Sequence, residues 1–595
     1  MTLHVLHAGD GYTYLTRQVA SGDLQRRRGE ALADYYTAAG NPAGRWVGTG
    51  LSAMGVDGAV SEAQMKALFG EGLHPDADAR IQEALSRGVD RDAAQVAARL
   101  GRRFPTIDQS HQVWRDRLLA AYSEFEAAHG HRPERGPERD LVRWNVVRQL
   151  FLEKHHREPR DDAELKTFFT QVAKPPRQPV AGVDLVFTPV KSVSVLWALG
   201  DDRVRREVEE AHQSAWRRAF SYVETHGART RIGAAGVAQI DTRGLVAAAF
   251  DHPDSRTGDP NLHTHVAVSA KVQGVDGTWR ALDMRVLHAM AVSASETYNT
   301  AIEDELRTRL GVEFVERTGG RNLRPVREIK GIPDTLLKAF STRRAEIEGG
   351  YQAALETYRA THGHDAPRHV QYKLAQEATL ANRPDKDHPR SWAQARATWM
   401  ARAQEVLGTN PFGSQQGVEP MLRGVLGRDI QPLEAGVVDV ADLARQVIEN
   451  VAEVRSTWTR WHVQAEVQRL TRALVVAPER REGLVAAITA QALSGHSLQI
   501  SAPDLNPTPD ALQRRDGESV YTVHGTTRYT SERLILAVED RLLAANAAHT
   551  GSATAATVLS AAQARLESLH GWTFDMAQVE LARSFVCDDR LLVAG

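Results

Sequence analysis

The sequence predicts an α+β chain that ends in an α-rich tail, and three observations predict it. Short β-like runs bounded by turn residues cluster between residues 182 and 283. Long stretches with helical periodicity flank them, over 202–227 and from about 285 to 310. Residues 333–410 and 437–595 then read as helices with little strand pattern.

Taken in order, residues 1–50 end in a Gly-rich stretch, GNPAGRWVGTG, and 60–175 are mostly helical and heavily charged. KPPRQPVAG (174–182) reads as a linker or a strand entry. GVDLVFTP alternates as a strand does, KSVSVLWALG is a short helix, and the 202–227 segment is a longer amphipathic one. AAGVAQI, RGLVAAAFDH and HTHVAVSAKV are β-like, and VQGVDGTWRALD is a hairpin turning at Gly274–Gly277. VEFVERTGGRNL is a further β-like segment. GTNPFGSQQGVEP (408–420) marks a boundary before the tail.

A chain of 595 residues has room for several domains. At 42% hydrophobic and 25% charged it has a globular composition. No apolar run is long enough to cross a bilayer, so membrane insertion is not expected. The N-terminus lacks the basic and apolar regions of a signal peptide. A single cysteine, Cys587, excludes an internal disulfide framework and a Cys-rich zinc site, which fits a reducing cytoplasm. The formal net charge is −2, so any nucleic-acid surface has to be local.

Three histidines lie close together in FDHPDSRTGDPNLHTHVAVSA. Residues i and i+2 of a strand share a face, so His263 and His265 project together if this run is a strand. His252 ends the preceding run. An antiparallel fold-back across DSRTGDPN brings it beside the pair. Three converging imidazoles make a metal site with open positions, and open positions suit catalysis. The adjacent pair His155–His156 is different, since neighbours on a helix do not share a face and the stretch is charged. Three-His sites also occur in oxygenases and zinc hydrolases, so the trio alone does not fix the chemistry.

Four of the twelve tyrosines fall in the first 36 residues: Tyr12, Tyr14, Tyr35 and Tyr36. A phenol with a pKa near 10 is a weak nucleophile until a metal or base activates it. Attack on a phosphodiester gives a phosphotyrosyl bond that keeps the energy of the broken link for resealing. Aromatic packing on helix faces is the plainer role.

Four stretches together resemble the conjugative relaxases of the MobF class, within the HUH endonuclease superfamily. They are the tyrosine-rich N-terminus, DYYTAAGNPAGRWVGTGLSAMGV, GVDLVFTPVKSVSVLWAL and DHPDSRTGDPNLHTHVAVSAKVQGVDGTWRALD. The resemblance implies a central antiparallel sheet that carries the histidines and is flanked by helices. It implies that His252, His263 and His265 hold a divalent cation, Mg²⁺ or Mn²⁺. Asp184 would orient a metal-bound histidine and assist deprotonation of the tyrosine. Tyr14 aligns best with the first nucleophile of the family, with Tyr12 as the other candidate, because Thr13 splits the expected pair. Tyr35 or Tyr36 would serve a second strand transfer. Lys191, Ser192 and Arg256 sit in matching motifs as phosphate contacts, although Ser192 could equally cap its helix. Arg321 and Arg324 lie in RTGGRNLRPVREIK (317–330), a basic stretch that is either a local DNA surface or a solvated turn.

The implied organisation is a relaxase domain over 1–335 with a helical insertion at about 105–175, a helical extension over 336–410, and a helicase-associated region over 420–595. That last region has no GxxxxGK[ST] loop. The tail resembles the approach to a helicase motor, so a piece of a larger protein is expected. The implied function is metal-dependent nicking and strand transfer at a plasmid origin of transfer, through a 5′-phosphotyrosyl intermediate, in the bacterial cytoplasm. The implied partners are single-stranded DNA with an adjacent hairpin, accessory relaxosome proteins and a coupling ATPase. The alternatives are a rolling-circle initiator or HUH transposase, a three-His metalloenzyme acting on a small molecule, and a DNA-binding scaffold without activity.

Overall fold

The computed structural model describes residues 1–16, 42–105, 110–134, 136–174, 178–255, 257–317, 326–381, 392–408, 417–431, 433, 438–502, 508–547 and 553–587. Its strands are β1 (Thr2–His7), β2 (Gly44–Val47), β3 (Ala59–Val60), β4 (Val180–Phe187), β5 (Arg229–Ile232), β6 (Ala238–Asp241), β7 (Ala247–Asp254) and β8 (Pro260–Ser269). After these come β9 (Lys271–Gln273), β10 (Trp279–Ala281), β11 (Phe314–Arg317) and β12 (Val326–Ile329). Six of them form one sheet in the order β1-β4-β8-β7-β2-β3, and every pairing is antiparallel. The fold is therefore α+β with a central antiparallel sheet, as expected.

Both faces of the sheet are covered, which is why β4 and β8 read as nearly continuous apolar runs. On one face, helices α2 (Lys191–Leu199), α3 (Asp202–Gly227) and α4 (Met284–Leu310) pack on Val183, Leu185, Phe187, Val266 and Val268. The sequence of α2 is apolar on all sides, and every residue from Ser192 to Leu199 is buried. Asp201 caps α3 by accepting from Val204 N, and Gly311 ends α4 in the left-handed conformation. The other face carries Leu6, Trp46, Phe69 and Phe250, together with a short helix α1 (Thr13–Thr16) that follows β1. Gly182 in β4 has no room for a side chain, since a Cβ there would sit 2.1 Å from the Val268 carbonyl oxygen.

The stretch where a helical insertion is expected carries three helices, Ser110–His129, Pro137–His155 and Asp162–Ala173, with a core of Val147, Phe151, Leu165 and Phe168. His155 and His156 end the second of these helices. His156 takes the left-handed cap conformation and His155 packs against Phe151. The β9–β10 hairpin forms with Gly277 N bonded to Gly274 O.

The tail has a core of its own, built by Val440–Ala452, α5 (Arg460–Thr471) and α6 (Pro478–Gly495) around Val447, Trp458, Val463 and Ile488. The tail also packs against the helices of the sheet. Arg481 on α6 bonds Asp304 on α4 with both contacts at 2.8 Å, Arg469 reaches Glu296 at 2.9 Å, and Arg472 pairs with the same Glu296. The Tyr222 hydroxyl donates to Gln464 at 2.8 Å. Lower down, Arg515 N donates to Asp241 and His524 N to Gln239, which ties the 514–525 loop to β6. A helical period assigns acids such as Glu303 and Asp304 to solvent. Here both are buried because arginines neutralise them, Glu303 by Arg307 of the same helix and by Arg327, and Asp304 by Arg481 of the tail.

Candidate metal centre and tyrosine site

The register of three neighbouring strands builds the site. His252 on β7 stands directly opposite His263 on β8, and residues paired in this way share a face. His265 follows two residues later on the same face. The three rings lie 4.9 to 5.2 Å apart between centroids, and one nitrogen from each falls within 4.8 Å of the others. On the far side of β8, Val186 of β4 pairs with His265, so Asp184 lies two residues along on the histidine face.

Hydrogen bonds set which ring nitrogens are available. His265 Nδ1 lies 2.7 Å from Asp184 Oδ2, and a buried carboxylate can only accept, so Nδ1 carries the proton. His263 Nδ1 lies 2.7 Å from the Asn261 carbonyl oxygen, which is likewise an acceptor. In both rings this leaves Nε2 with its lone pair, the arrangement a metal-binding histidine needs. Burial first, and then the neighbouring His265, push the His263 pKa down to about 3, which keeps that ring neutral. Three imidazoles whose nitrogens converge, two of them oriented by hydrogen bonds, fit a divalent cation and leave coordination positions open.

Tyr14 comes from α1. Its hydroxyl donates to Asp184 Oδ2 at 2.5 Å, the same oxygen that His265 uses, and its ring meets the His265 ring edge-on at 5.8 Å. Burial, and then the Asp184 charge, push its phenol well above the usual range. Tyr12 goes elsewhere, into the apolar cluster with Leu15, Met65 and Phe69. The turn between them explains the split: with only Thr13 intervening, one ring enters the core and the other faces the histidines.

The other expected residues differ in their fates. Lys191 is half-buried and its Nζ donates to the Pro260 carbonyl at 3.0 Å, at the start of β8. Burial pulls its pKa down. Ser192 is fully buried and offers no surface contact to a phosphate. It is not a cap either, because the capping position of α2 is Val190. Its hydroxyl accepts from Ile329 N at 2.8 Å and its own N–H donates to Glu328 at 2.9 Å, so it fastens β12 to α2. The basic stretch at 317–330 is also corrected in part. Arg317, Arg327 and Lys330 lie within ion-pair distance of Glu328, Glu303 and Glu313, respectively. Tyr35, Tyr36, Arg256, Arg321 and Arg324 lie outside the described residues.

A buried network behind the histidines was not anticipated. Thr264 points to the opposite face from its two histidine neighbours and donates to Asp251 Oδ1 at 2.6 Å. His212 Nε2, 2.8 Å from the Thr264 hydroxyl, must then be the donor to it, so His212 Nδ1 accepts from Tyr298 at 2.9 Å. Arg45 closes the network by bonding Asp251 and Gln213, each at 2.6 Å. Burial keeps His212 neutral, with a pKa near 4. Asn261 had a legible signal, since it continues the two-residue period of the histidines. Arg45 and His212 had none, being 206 residues from Asp251 and 52 from Thr264.

With this geometry in place, comparison with known proteins is informative. The family model described as TrwC relaxase matches residues 8–406, more than half of the chain. A multifunctional conjugation protein TraI of Escherichia coli is 33% identical over 200 residues, which is 30% of this chain and 11% of that protein. A second TraI, from Escherichia coli strain K12, is 30% identical over 235 residues, covering 38% of this chain and 12% of that protein. A solved structure of the conjugative relaxase TrwC in complex with oriT DNA covers 68% of this chain and 98% of its own, at 22% identity and a TM-score of 0.39. The residues that meet at the histidine cluster, from Tyr14 to His265, all fall inside the stretch matched by the family model, and the chain belongs to the TrwC relaxase family.

Proposed function

We propose that this chain nicks one DNA strand at a plasmid origin of transfer and rejoins it during conjugation. The observation that carries the reading is the placement of the Tyr14 hydroxyl on Asp184, beside three histidines whose nitrogens converge. Membership of the relaxase family and the likeness to conjugation proteins support it.

In this reading the Tyr14 oxygen attacks the scissile phosphorus. A bond forms between that oxygen and phosphorus while the bond to the 3′ oxygen breaks. The DNA 5′ phosphate stays on Tyr14, and the 3′ oxygen leaves as a hydroxyl after taking up a proton. Asp184 Oδ2, which already accepts the phenolic hydrogen bond, takes the phenol's proton as the attack proceeds. His252, His263 and His265 would hold Mg²⁺ or Mn²⁺, which when bound offsets the charge that develops on the phosphate oxygens. Asp184 and the Asn261 carbonyl keep the His265 and His263 rings aimed at the cluster. Reversal of the attack reseals the strand, with Tyr35 or Tyr36 as acceptors of a second transfer. Lys191 is a candidate phosphate contact. A hairpin beside the nick, accessory proteins and a coupling ATPase are the partners this activity calls for.

The test is a covalent-adduct assay. Single-stranded origin DNA from the plasmid that encodes the chain is mixed with the protein and Mn²⁺ and run on a denaturing gel. Label at protein mass, lost with Tyr14→Phe and with His263→Ala, is the expected result. Absence of any adduct on that origin would overturn the reading and favour a metalloenzyme acting on a small molecule.

A further inference from the structure

A cavity of about 730 Å³ lies between α3 and α4 on one side and α5 and α6 of the tail on the other. It shares no lining residue with the histidine site. Its volume is in the range of small-molecule sites. Four arginines line it: Arg217, Arg218, Arg460 and Arg481.

Their charges are not equally satisfied. Arg481 is taken up by Asp304 and by the Thr471 and Leu474 carbonyls. Among the described residues, no carboxylate lies within ion-pair distance of Arg218 or Arg460. The Nε of Arg460 is buried without a hydrogen-bond partner, and so is Oε1 of Gln468, whose side chain is 5% exposed. Buried polar atoms of this kind are rare unless a partner arrives from outside the fold. Two acids also line the cavity. Glu518 is engaged by Arg514 at 2.6 Å, and Glu482 is exposed. The balance favours an anion.

The walls say more about its form. Tyr222 and Tyr529 present aromatic surface, and Ala301, Val485 and Leu493 add apolar surface. A bare oxyanion needs neither aromatic walls nor this volume. Guanidinium groups for phosphate, an unpaired amide oxygen for a ring amine and aromatic faces for stacking together describe a phosphorylated nucleoside. We propose that this cavity binds a nucleotide, with its phosphate on Arg218 and Arg460 and its base against Tyr222 or Tyr529. The nucleotide arrives either free or as an unstacked unit of single-stranded DNA, since both present the same chemistry.

Photo-cross-linking of the full chain tests this. One probe is 8-azido-ATP. The other is a ten-residue thymidine oligonucleotide carrying 4-thiothymidine and no origin sequence. Cross-linked peptides are mapped by mass spectrometry, and affinities are measured by titration. The expected result is a cross-link on a peptide containing Tyr222 or Tyr529, removed by excess unlabelled probe. Binding should weaken roughly tenfold or more in Arg460→Glu and Arg218→Glu. Arg460→Gln, which removes the guanidinium without reversing the charge, serves as the second variant if the reversals fail to fold. Adduct formation at the origin, measured in parallel, reports separately on the histidine site. Labelling by azido-ATP alone identifies a free nucleotide, and labelling by the oligonucleotide alone identifies a DNA unit. Cross-links confined to other peptides, affinities unchanged in the variants, or no saturable binding of either probe would overturn the proposal.

Discussion

The hydroxyl of Tyr14 rests 2.5 Å from an oxygen of Asp184, a residue 170 positions further along the chain. The same oxygen receives His265 Nδ1 at 2.7 Å, so one carboxylate atom serves both the phenol and a cluster histidine. Asp184→Asn can keep an acceptor oxygen for both partners, but it has no negative charge with which to take the phenol's proton or to strengthen the histidine. Adduct formation is expected to fall about 10²- to 10⁴-fold, the usual worth of a positioned proton acceptor. Metal affinity should fall by roughly 10- to 100-fold. Single-turnover cleavage and a metal titration on the folded variant check both.

Tyr14→Phe and Tyr12→Phe should separate cleanly. Loss of the Tyr14 hydroxyl should abolish the adduct while leaving thermal stability close to that of the parent. Tyr12→Phe keeps the buried ring and should retain adduct formation within a few-fold. The gel assay and a melting curve on each variant decide it. Adduct lost only with Tyr12→Phe would reassign the nucleophile.

How much of this was legible follows from the kind of signal each residue leaves. The two-residue period of His263 and His265, and the turn before them, placed the trio on one face of a hairpin, and the register bears that out. The choice between Tyr12 and Tyr14 was not legible, because it depends on which ring fits under Phe69 and which clears β1. Ser192 looked like a surface residue because a serine at a helix start so often is one. Its burial depends on β12, which arrives 134 residues later. The acids of α4 gave no signal of burial for the same reason, since Arg469 and Arg481 come from a segment about 170 residues away.

Thr264→Val keeps the shape but removes the hydroxyl between Asp251 and His212. Two buried polar groups lose a partner, which costs about 1–3 kcal/mol for each group left unpaired. Denaturant unfolding should show this loss, and metal affinity should weaken because both neighbours of Thr264 are cluster histidines.

Arg481→Ala leaves Asp304 buried beside Arg307 alone. Removing one partner of a buried pair typically costs about 3–5 kcal/mol. The melting temperature should drop, and α5 and α6 should become protease-sensitive before the sheet does.

Binding of Mn²⁺ should raise the melting temperature of the parent chain, by an amount that grows with metal concentration as mass action requires. A chelator should reverse it. His263→Ala should show no such rise.

The loop that docks on β6 carries a pH dependence. His524 Nδ1 lies 2.7 Å from Asp516 and 3.4 Å from Glu518, with His226 of α3 stacked on its ring and Arg229 and Arg514 close to Asp516. Burial pulls the His524 pKa down, but the two carboxylates outweigh it and leave it above its ordinary 6.5. Burial likewise raises both carboxylates, yet His524 and Arg514 hold them below their ordinary 3.8 and 4.5. A raised histidine stabilises below 6.5 and loses that contribution as pH climbs through its folded value. Depressed carboxylates stabilise above their ordinary values and lose that contribution as pH falls. His226, held down near 3 by burial and by the charges of Arg460 and His524, works the other way below pH 6.5, so docking of residues 514–525 should be firmest around pH 6.5. Amide protection factors in that segment, followed from pH 4 to 8.5, check it.

The strand that carries two of the three histidines sits between β4 and β7 in the sheet, yet it is the last of the six in sequence. During synthesis, the earlier strands emerge first and wait with a gap at their centre. No pairing between the β1–β4 half and the β7–β2–β3 half exists until β8 slots in. Such long-range closure is slow. A ribosome-bound chain shorter than about residue 270 thus has its tyrosine and its aspartate but not the full histidine cluster beside them. The proposed cleavage site is therefore incomplete in the emerging polypeptide until the whole sheet has closed.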